Sequence, residues 1–208
     1  EITIIGLGLI GSSLALAIKS QTLCDRLVLF DADASVREKA LALGLGDVVV
    51  DTLPQAVEGA DLVVLAIPVG AMANVAVAMS PHLKHGVVIT DTGSTKGSVI
   101  RDVSPALPDH AVFIPSHPIA GTEYSGPESG FATLFKDRYW IVIPNGADDT
   151  TTKTLMAFLS ATGAIVETMD CDYHDKVLAI TSHLPHLIAY TIVGTAFDLE
   201  NDLQNDVI

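Results

Sequence analysis

The chain alternates short runs of branched apolar residues with longer segments in which apolar residues recur at helical spacing. The short runs predict buried strands, and the longer segments predict helices that pack on them. The predicted strands are Ile2–Ile5, Leu27–Phe30, Val48–Val50, Leu62–Ala66 and Val87–Thr90. The predicted helices are Ile10–Lys19, Val36–Leu43, Val69–Met79 and Lys96–Val103. This order is typical of repeated βαβ units, so the sequence predicts an α/β fold with a doubly wound, mainly parallel sheet.

The pattern continues beyond residue 110 and changes near residue 170. Further strands are predicted at Val112–Ser116, Tyr139–Ile143 and Ala164–Thr168. Residues 144–149 are typical of a loop, and Asp149 or Thr150 is the expected N-cap of the next helix. Residues 171–199 predict one long helix with a kink near Pro185. We therefore predict an α/β domain over residues 1–169 and, from 170 to 208, the beginning of an all-helical second domain that is truncated.

Composition and charge narrow the classes of function. The chain of 208 residues is 49% apolar and 17% charged, and its formal net charge is −14. Nucleic-acid binding needs basic patches, and the sequence has none, so we expect neither a nucleic-acid partner nor an anionic membrane surface. Two distant cysteines do not indicate a disulfide scaffold, and no apolar run is expected to approach the length of a membrane span. These features predict a cytoplasmic protein.

A glycine-rich turn, Gly-Leu-Gly-Leu-Ile-Gly-Ser at 6–12, joins the first strand to the first helix. Gly6 permits a tight turn, Gly8 leaves room for a pyrophosphate, and Gly11 lets the helix pack close to the strand. The N-terminus of the helix favours negative charge. Because the strand and the helix supply the context that this motif requires, we predict a Rossmann-type dinucleotide site. Its predicted residues are Gly6, Gly8, Leu9, Ile10 and Gly11.

Asp31 ends the second predicted strand, where a carboxylate can accept hydrogen bonds from the adenosine ribose hydroxyls. The same carboxylate would repel a 2′-phosphate, and the nearest downstream arginine is Arg37 rather than the next residue. The sequence therefore predicts NAD in preference to NADP. The alternative is a turn aspartate that contacts only solvent.

Two later loops follow predicted strands at the same carboxyl edge, where ligands bind in such sheets. One contains Ile67 and Pro68, and the other is Asp-Thr-Gly-Ser-Thr-Lys-Gly at 91–97. Ordinary turn chemistry explains each loop alone. Their shared edge favours contact with a ligand, so we predict that Ile67, Pro68, Thr92 and Gly93 contact the cofactor.

Histidines supply the candidate acid–base groups. His117 lies in a predicted loop, Ser-His-Pro-Ile-Ala-Gly, and its unperturbed pKa suits general acid–base catalysis near neutral pH. His183 and His186 are three residues apart and can share a helix face. A metal site there is disfavoured because no cysteine or carboxylate cluster completes it, so no metal is expected. His174, between two aspartates, is interpreted as part of a solvated helix face.

Taken together, these segments resemble the prephenate/arogenate (cyclohexadienyl) dehydrogenase family. The resemblance rests on the glycine-rich turn at 6–12, Asp31, the segment 91–97, Ser-His-Pro-Ile-Ala-Gly-Thr-Glu at 116–123 and Ser-His-Leu-Pro-His at 182–186. The last three segments are the more specific ones, and together the segments span nearly the whole chain.

The resemblance implies an NAD-dependent oxidative decarboxylation in tyrosine biosynthesis. It implies that His117 accepts the hydrogen bond of the C4 hydroxyl and that Ser94 helps to hold this hydroxyl. Substrate contacts are implied for Ser94, His117, Thr122, Glu123, Ser182, His183 and His186. It also implies a homodimer through the helical domain. Prephenate and arogenate are both candidate substrates by this resemblance.

One feature of the family is missing. The resemblance implies an arginine in the helical domain that binds the ring carboxylate, but the chain's arginines are only Arg26, Arg37, Arg101 and Arg138. We expect this arginine beyond residue 208.

Two alternatives stay open. A β-hydroxyacid dehydrogenase shares the glycine-rich turn and would use a lysine, for which Lys176 is the candidate, but it leaves the Ser-His-Pro segment unexplained. A dinucleotide-sensing module without enzymatic activity would have structural histidines, and the fold alone does not exclude it.

Overall fold

A computed structural model describes the backbone of residues 1–203 and the side chains of residues 1–199. It divides into two compact units, Glu1–Asp170 and Cys171–Ile208. Residues 204–208 of the predicted second domain lie outside the described residues.

The first unit contains a six-stranded sheet whose strands are β1 Ile2–Ile5, β2 Leu27–Phe30, β3 Val48–Val49, β4 Leu62–Leu65, β5 Val88–Asp91 and β6 Val112–Phe113. Their order across the sheet is β3-β2-β1-β4-β5-β6, with all neighbouring strands parallel. The helices between them are α1 Leu9–Gln21, α2 Ala34–Ala42, α3 Leu53–Val57, α4 Val69–Met79 and α5 Lys96–Val103. The predicted fold class is confirmed, although α3 was not predicted.

Alternate residues of the strands face two separate cores. Ile4 and Leu29 belong to a core that includes side chains of α1 and α2. Ile5 and Val28 belong to another core, with side chains of α3, α4 and α5. Because a strand directs successive side chains to opposite faces, two cores imply helices on both faces of the sheet. A doubly wound sheet of this order binds ligands outside the carboxyl ends of its strands, where β1 and β4 are neighbours.

A second, three-stranded sheet follows in the same unit. It consists of β7 Ser116–Pro118, β8 Tyr139–Val142 and β9 Ile165–Thr168, with β7 antiparallel and β9 parallel to β8. Helix α6, Asp149–Ala161, connects β8 to β9. Its N-cap is Asp148, whose Oδ1 accepts hydrogen bonds from the N–H groups of Thr150 and Thr151 at 2.9 Å. The predicted cap at Asp149 or Thr150 is therefore wrong by one or two residues.

The described part of the second unit, residues 171–203, is helical. It consists of α7 Cys171–Leu178, a π-helical turn at Ala179–His183, and α8 Leu184–Leu203. Pro185 has no N–H group, and its ring clashes with the carbonyl four residues earlier, which explains why the helix widens just before it. A π-helical turn thus lies just before Pro185, where the sequence predicts a kink.

This helix overturns the expectation that no apolar run approaches the length of a membrane span. Cys171–Leu199 is a helix of 29 residues, and an 18-residue window within it has a mean hydropathy of 1.4. By length and composition alone it could cross a membrane, and only 6% of that window is buried. In the sequence, His183, Pro185 and His186 interrupt the apolar residues near the centre of this helix, so they do not form one continuous apolar run.

Candidate active site

The parallel strands of the first sheet end at a common edge, where four of the predicted segments meet. The glycine-rich turn follows β1, Asp31 follows β2, Ile67 and Pro68 follow β4, and Thr92–Ser94 follow β5. Ile67 is half-buried and Pro68 is exposed. The sheet order thus brings the predicted cofactor residues of the first unit to one edge.

The glycine-rich turn has the shape that a pyrophosphate requires. Gly6 has a φ of +96°, and a Cβ there would lie 2.4 Å from the carbonyl oxygen of Ala66. A Cβ at Gly11 would lie 1.9 Å from the carbonyl oxygen of Gly6, whereas Gly8 is exposed and has open space around it. Gly8 is also the N-cap of the 13-residue helix α1 and supplies no side-chain cap. The backbone N–H groups at this helix terminus therefore stay accessible, and the turn fits a dinucleotide phosphate.

We expect Gly6→Ala to destabilise the first unit strongly. Positive φ strains any residue with a Cβ, and the new methyl group would also overlap the backbone of Ala66. Strain and overpacking together should lower the free energy of unfolding by about 2–6 kcal/mol. Gly44→Ala is the matched control, because Gly44 has a φ of +61° but nothing within 4 Å of its Cβ position. Denaturant unfolding should show a loss of only about 1–2 kcal/mol for this control, and equal losses would contradict the overlap.

Asp31 is held rigidly at the end of β2. Its Oδ2 accepts a hydrogen bond from the N–H of Leu7 at 2.8 Å, and its Oδ1 accepts one from the N–H of Asp33 at 2.9 Å. The carboxylate thus lies beside the glycine-rich turn, as a ribose-binding group should. It is half-buried, and its direction is fixed by backbone donors on both sides.

Arg37 contacts Asp31 in the structure, although the two residues are not adjacent in the sequence. Asp33 caps α2, so the helix begins at Ala34 and brings Arg37 back towards the strand end. Its Nη1 donates to the carbonyl oxygen of Asp31 at 2.9 Å, and its side chain is only 17% exposed. A cation therefore lies against the backbone of the residue that carries the predicted ribose-binding carboxylate.

The loop after β5 holds Ser94 at the edge of the sheet. The N–H of Gly93 donates to Oδ2 of Asp91 at 2.7 Å, and a Cβ on Gly93 would lie 2.8 Å from the same oxygen. Thr92 donates its N–H to the carbonyl oxygen of Leu65 at 3.1 Å, which ties the loop to β4. Ser94 itself is exposed. The loop therefore presents this hydroxyl from a fixed backbone.

His117 lies in a strand rather than in a loop, which corrects the sequence prediction. It is the central residue of β7 and pairs with Ile141 of β8. The predicted strand Val112–Ser116 is in fact divided between two sheets. Ile114 donates its N–H to Ile89 in the first sheet, whereas the carbonyl of Pro115 accepts from Ile143 in the second. Pro115 has no N–H, so it cannot continue the first ladder.

A buried ion pair, to which the sequence analysis assigned no role, joins the loop after β5 to β7. Asp91 and Lys96 are both fully buried, with Lys96 Nζ 2.5 Å from Asp91 Oδ2 and 2.6 Å from the carbonyl oxygen of Ser116. The N–H of Ser116 donates to Asp91 Oδ1 at 3.1 Å. Burial raises the pKa of the Asp91 carboxyl, and the ammonium of Lys96 and the N–H groups of Gly93 and Ser116 oppose this rise.

The remaining predicted substrate residues are separated between the two units. Thr122 and Glu123 are exposed on the segment after β7. Ser182 and His183 are half-buried in the π-helical turn, and His186 is exposed at the start of α8. His186 donates from Nδ1 to the carbonyl oxygen of Ser182 at 2.8 Å when that nitrogen carries the proton.

Two further residues of the second unit, His174 and Lys176, carried a prediction from the sequence. His174 is fully buried and lies 2.8 Å from Asp175, so its assignment to a solvated face is wrong. The signal for burial in the sequence is the helical spacing between His174 and Leu178, which places both side chains on one buried face of the helix. Lys176, the candidate lysine of the alternative dehydrogenase, is exposed. Among the residues that the structure describes, no group of three histidine, cysteine or acidic side chains could hold a metal ion.

The sheet order and the glycine-rich turn define a dinucleotide-binding α/β protein. Family models give the finer assignment: residues 14–168 match the nucleotide-binding domain of prephenate dehydrogenase, and residues 170–207 match its dimerization domain. The chain belongs to the prephenate dehydrogenase family, as the sequence resemblance predicted. The first match begins after the glycine-rich turn, so that turn is independent support for a nucleotide site.

Individual relatives agree with this assignment. The chain is 45% identical to the cyclohexadienyl dehydrogenase of Zymomonas mobilis, covering 100% of this chain and 71% of that protein. It is 33% identical to the prephenate dehydrogenase of Bacillus subtilis, covering 96% of this chain and 54% of that protein. A prephenate dehydrogenase structure from Aquifex aeolicus, in complex with hydroxyphenyl propionate and NAD+, superposes with a TM-score of 0.87 at 29% identity. That alignment covers 95% of this chain and 69% of the other.

Proposed function

We propose that this chain carries the nucleotide-binding part of an NAD-dependent dehydrogenase that oxidatively decarboxylates prephenate, arogenate or both. The observation that carries the proposal is the common edge of the first sheet. The glycine-rich turn, Asp31 and Ser94 all follow the carboxyl ends of its parallel strands. One carboxylate, Asp91, ties the loop of Ser94 to the strand of His117. A cofactor site is thus connected through fixed backbone to an acid–base group.

The residues at this edge fit NAD. Gly8 leaves space at the N-terminus of α1 for the phosphates, and Asp31 offers carboxylate oxygens for the ribose hydroxyls. When bound, NAD+ supplies the acceptor for the hydride that leaves C4 of the ring. The solved Aquifex aeolicus relative in complex with NAD+ supports this choice of cofactor.

His117 is the proposed base. In its neutral form the imidazole accepts the proton of the C4 hydroxyl as that carbon is oxidised, and Ser94 helps to hold the hydroxyl in place. The ring carboxylate then leaves as CO2, its bonding electrons complete the aromatic ring and leave a phenolate at the C4 oxygen, and this oxygen regains the proton from His117. The protein's task is orientation, and backbone hydrogen bonds hold β7 and the loop after β5 in place for it. We also propose five substrate contacts from the family resemblance: Thr122, Glu123, Ser182, His183 and His186.

A second copy of the chain is the proposed partner of the helical unit. Large apolar side chains are exposed along α8, among them Leu187, Tyr190, Val193 and Phe197. An exposed apolar face of this kind marks an interface, and the match to a dimerization domain favours a homodimer over a lipid bilayer. Light scattering of the intact protein should give twice the chain mass without detergent. A monomer, or a need for detergent, would contradict this assembly.

Absorbance at 340 nm tests the reaction directly. The intact protein, mixed with NAD+ and either prephenate or arogenate, should produce NADH with at least one of them. The comparison also decides between prephenate and arogenate, because one relative is named for prephenate and the other for cyclohexadienyl compounds, the class that includes both. If NAD+ binds but neither substrate is oxidised, the proposed reaction is wrong and a nucleotide-binding module without this activity remains.

A further inference from the structure

The buried polar network around Asp91 is more extensive than an ion pair. Oγ of Ser116 donates to the backbone carbonyl oxygen of Asp91 at 2.7 Å and accepts a hydrogen bond from Nε1 of Trp140 at 2.9 Å. The hydroxyl of Thr90 lies 2.9 Å from the same Oγ. Asp91, Lys96, Ser116 and Trp140 are all fully buried. The network therefore ties the end of β5 to β7 and β8 across the boundary between the two sheets.

This network contacts the residues next to both candidate catalytic residues, Ser94 and His117. The two oxygens of Asp91 accept hydrogen bonds from the N–H groups of Gly93 and Ser116. These are the residues that immediately precede Ser94 and His117 in the chain. Lys96 completes the link, because Nζ binds both the Asp91 carboxylate and the carbonyl oxygen of Ser116. One buried pair thus fixes the backbone on which both candidate side chains stand.

A contribution to stability is a weak explanation for the burial of the Asp91–Lys96 ion pair. Removing two charges from water is costly, and buried ion pairs are often replaced by apolar residues without loss of stability. Function gives a stronger reason, because displacing a reacting group by about 1 Å can cost roughly 100-fold in rate. The pair lies where such a displacement would arise.

We propose that Asp91 and Lys96 are positioning residues, which hold Ser94 and His117 in the geometry for proton abstraction without touching the substrate. The inference rests on the proposed function, since it assumes that Ser94 and His117 act on the C4 hydroxyl. It predicts a loss in kcat that is separable from substrate affinity, cofactor affinity and stability.

Two variants and one control test this role in the intact protein. Lys96→Met removes the ammonium but keeps the length of the side chain. Asp91→Asn combined with Lys96→Met removes both charges, so that neither is left buried and unpaired. Thr3→Val is the control, because it deletes another buried hydrogen bond of the first unit, from Thr3 Oγ1 to the carbonyl oxygen of Ala56.

We expect both network variants to lower kcat about 10- to 100-fold, with KM for the substrate and Kd for NAD+ changed less than about threefold. Tm of the double variant should lie close to that of the unaltered protein, and Thr3→Val should lower Tm without lowering kcat. Unchanged kcat in the folded double variant would overturn the inference, as would failure of both variants to fold, which would make the pair purely structural. No NADH from the unaltered protein would instead reject the proposed function, and the inference with it.

Discussion

Replacing His117 with asparagine is expected to lower kcat by roughly 10²–10⁴ while NAD+ affinity stays within a factor of about two. Asparagine can form the same backbone pairing with Ile141, because that ladder involves no side chain. It has no nitrogen that binds a proton near neutral pH, so the C4 hydroxyl would lose its base. The rate at saturating substrate and a binding titration with NAD+ separate these two effects.

The pH profile gives a second readout of the same change. Protonated imidazole cannot accept a proton, so kcat of the unaltered enzyme should fall on the acid side, and His117→Asn should abolish this dependence. His110→Asn is the matched control. His110 lies before β6, at the opposite end of the sheet, and its Nε2 contacts the carbonyl oxygen of Leu83. If His117→Asn and His110→Asn gave the same kcat and the same profile, the base would have to be another group.

Most of the parallel sheet could be predicted from the sequence because strands buried on both faces are short, continuous apolar runs. Ile2–Ile5 and Leu27–Phe30 have the predicted bounds, and the loops that follow them lie where parallel strands place them. The end of the sheet was harder to predict. The apolar run Val112–Ser116 reads as one strand, and only Pro115, which cannot donate to a ladder, indicates that the chain passes to another sheet.

The buried charges could not be assigned from the sequence. Lys96 follows glycine, serine and threonine, a context that is typical of an exposed loop, yet it is fully buried. Its environment depends on β7, a segment that lies 20 residues later in the chain. His174 was missed for a different reason, because the flanking acids suggested solvent while the helical spacing to Leu178 indicated burial. Local composition describes neighbours along the chain, whereas burial depends on neighbours in space.

Arg37 changes what is expected of cofactor preference. From the sequence, converting the site to NADP requires both the loss of Asp31 and a new arginine beside it. The structure already places the Arg37 guanidinium 2.9 Å from the backbone oxygen of Asp31. Its Nε is buried without a hydrogen-bond partner and lies 3.4 Å from Asp51. We therefore expect Asp31 to be the main obstacle to a 2′-phosphate, with the Arg37 guanidinium as the complementary cation.

Asp31→Ser alone should shift the ratio of kcat/KM for NADP+ over NAD+ upwards by roughly 10²–10³. The change removes a carboxylate that accepts ribose hydrogen bonds and repels phosphate, and hydrogen bonds to charged groups contribute about 1.5–3 kcal/mol each. Arg37→Gln in the same background should remove most of the gain with NADP+, because Arg37 is the expected partner of the phosphate.

Asp33→Ser is the matched control for this substitution. It deletes a carboxylate two residues away, and serine can still cap α2 in place of Asp33. Cofactor preference should then change little, since Asp33 caps the helix and Asp31 alone lies against the glycine-rich turn. Equal shifts for Asp33→Ser and Asp31→Ser would mean that only the general negative charge of this region opposes the 2′-phosphate. An unchanged preference in Asp31→Ser would remove Asp31 from the ribose site.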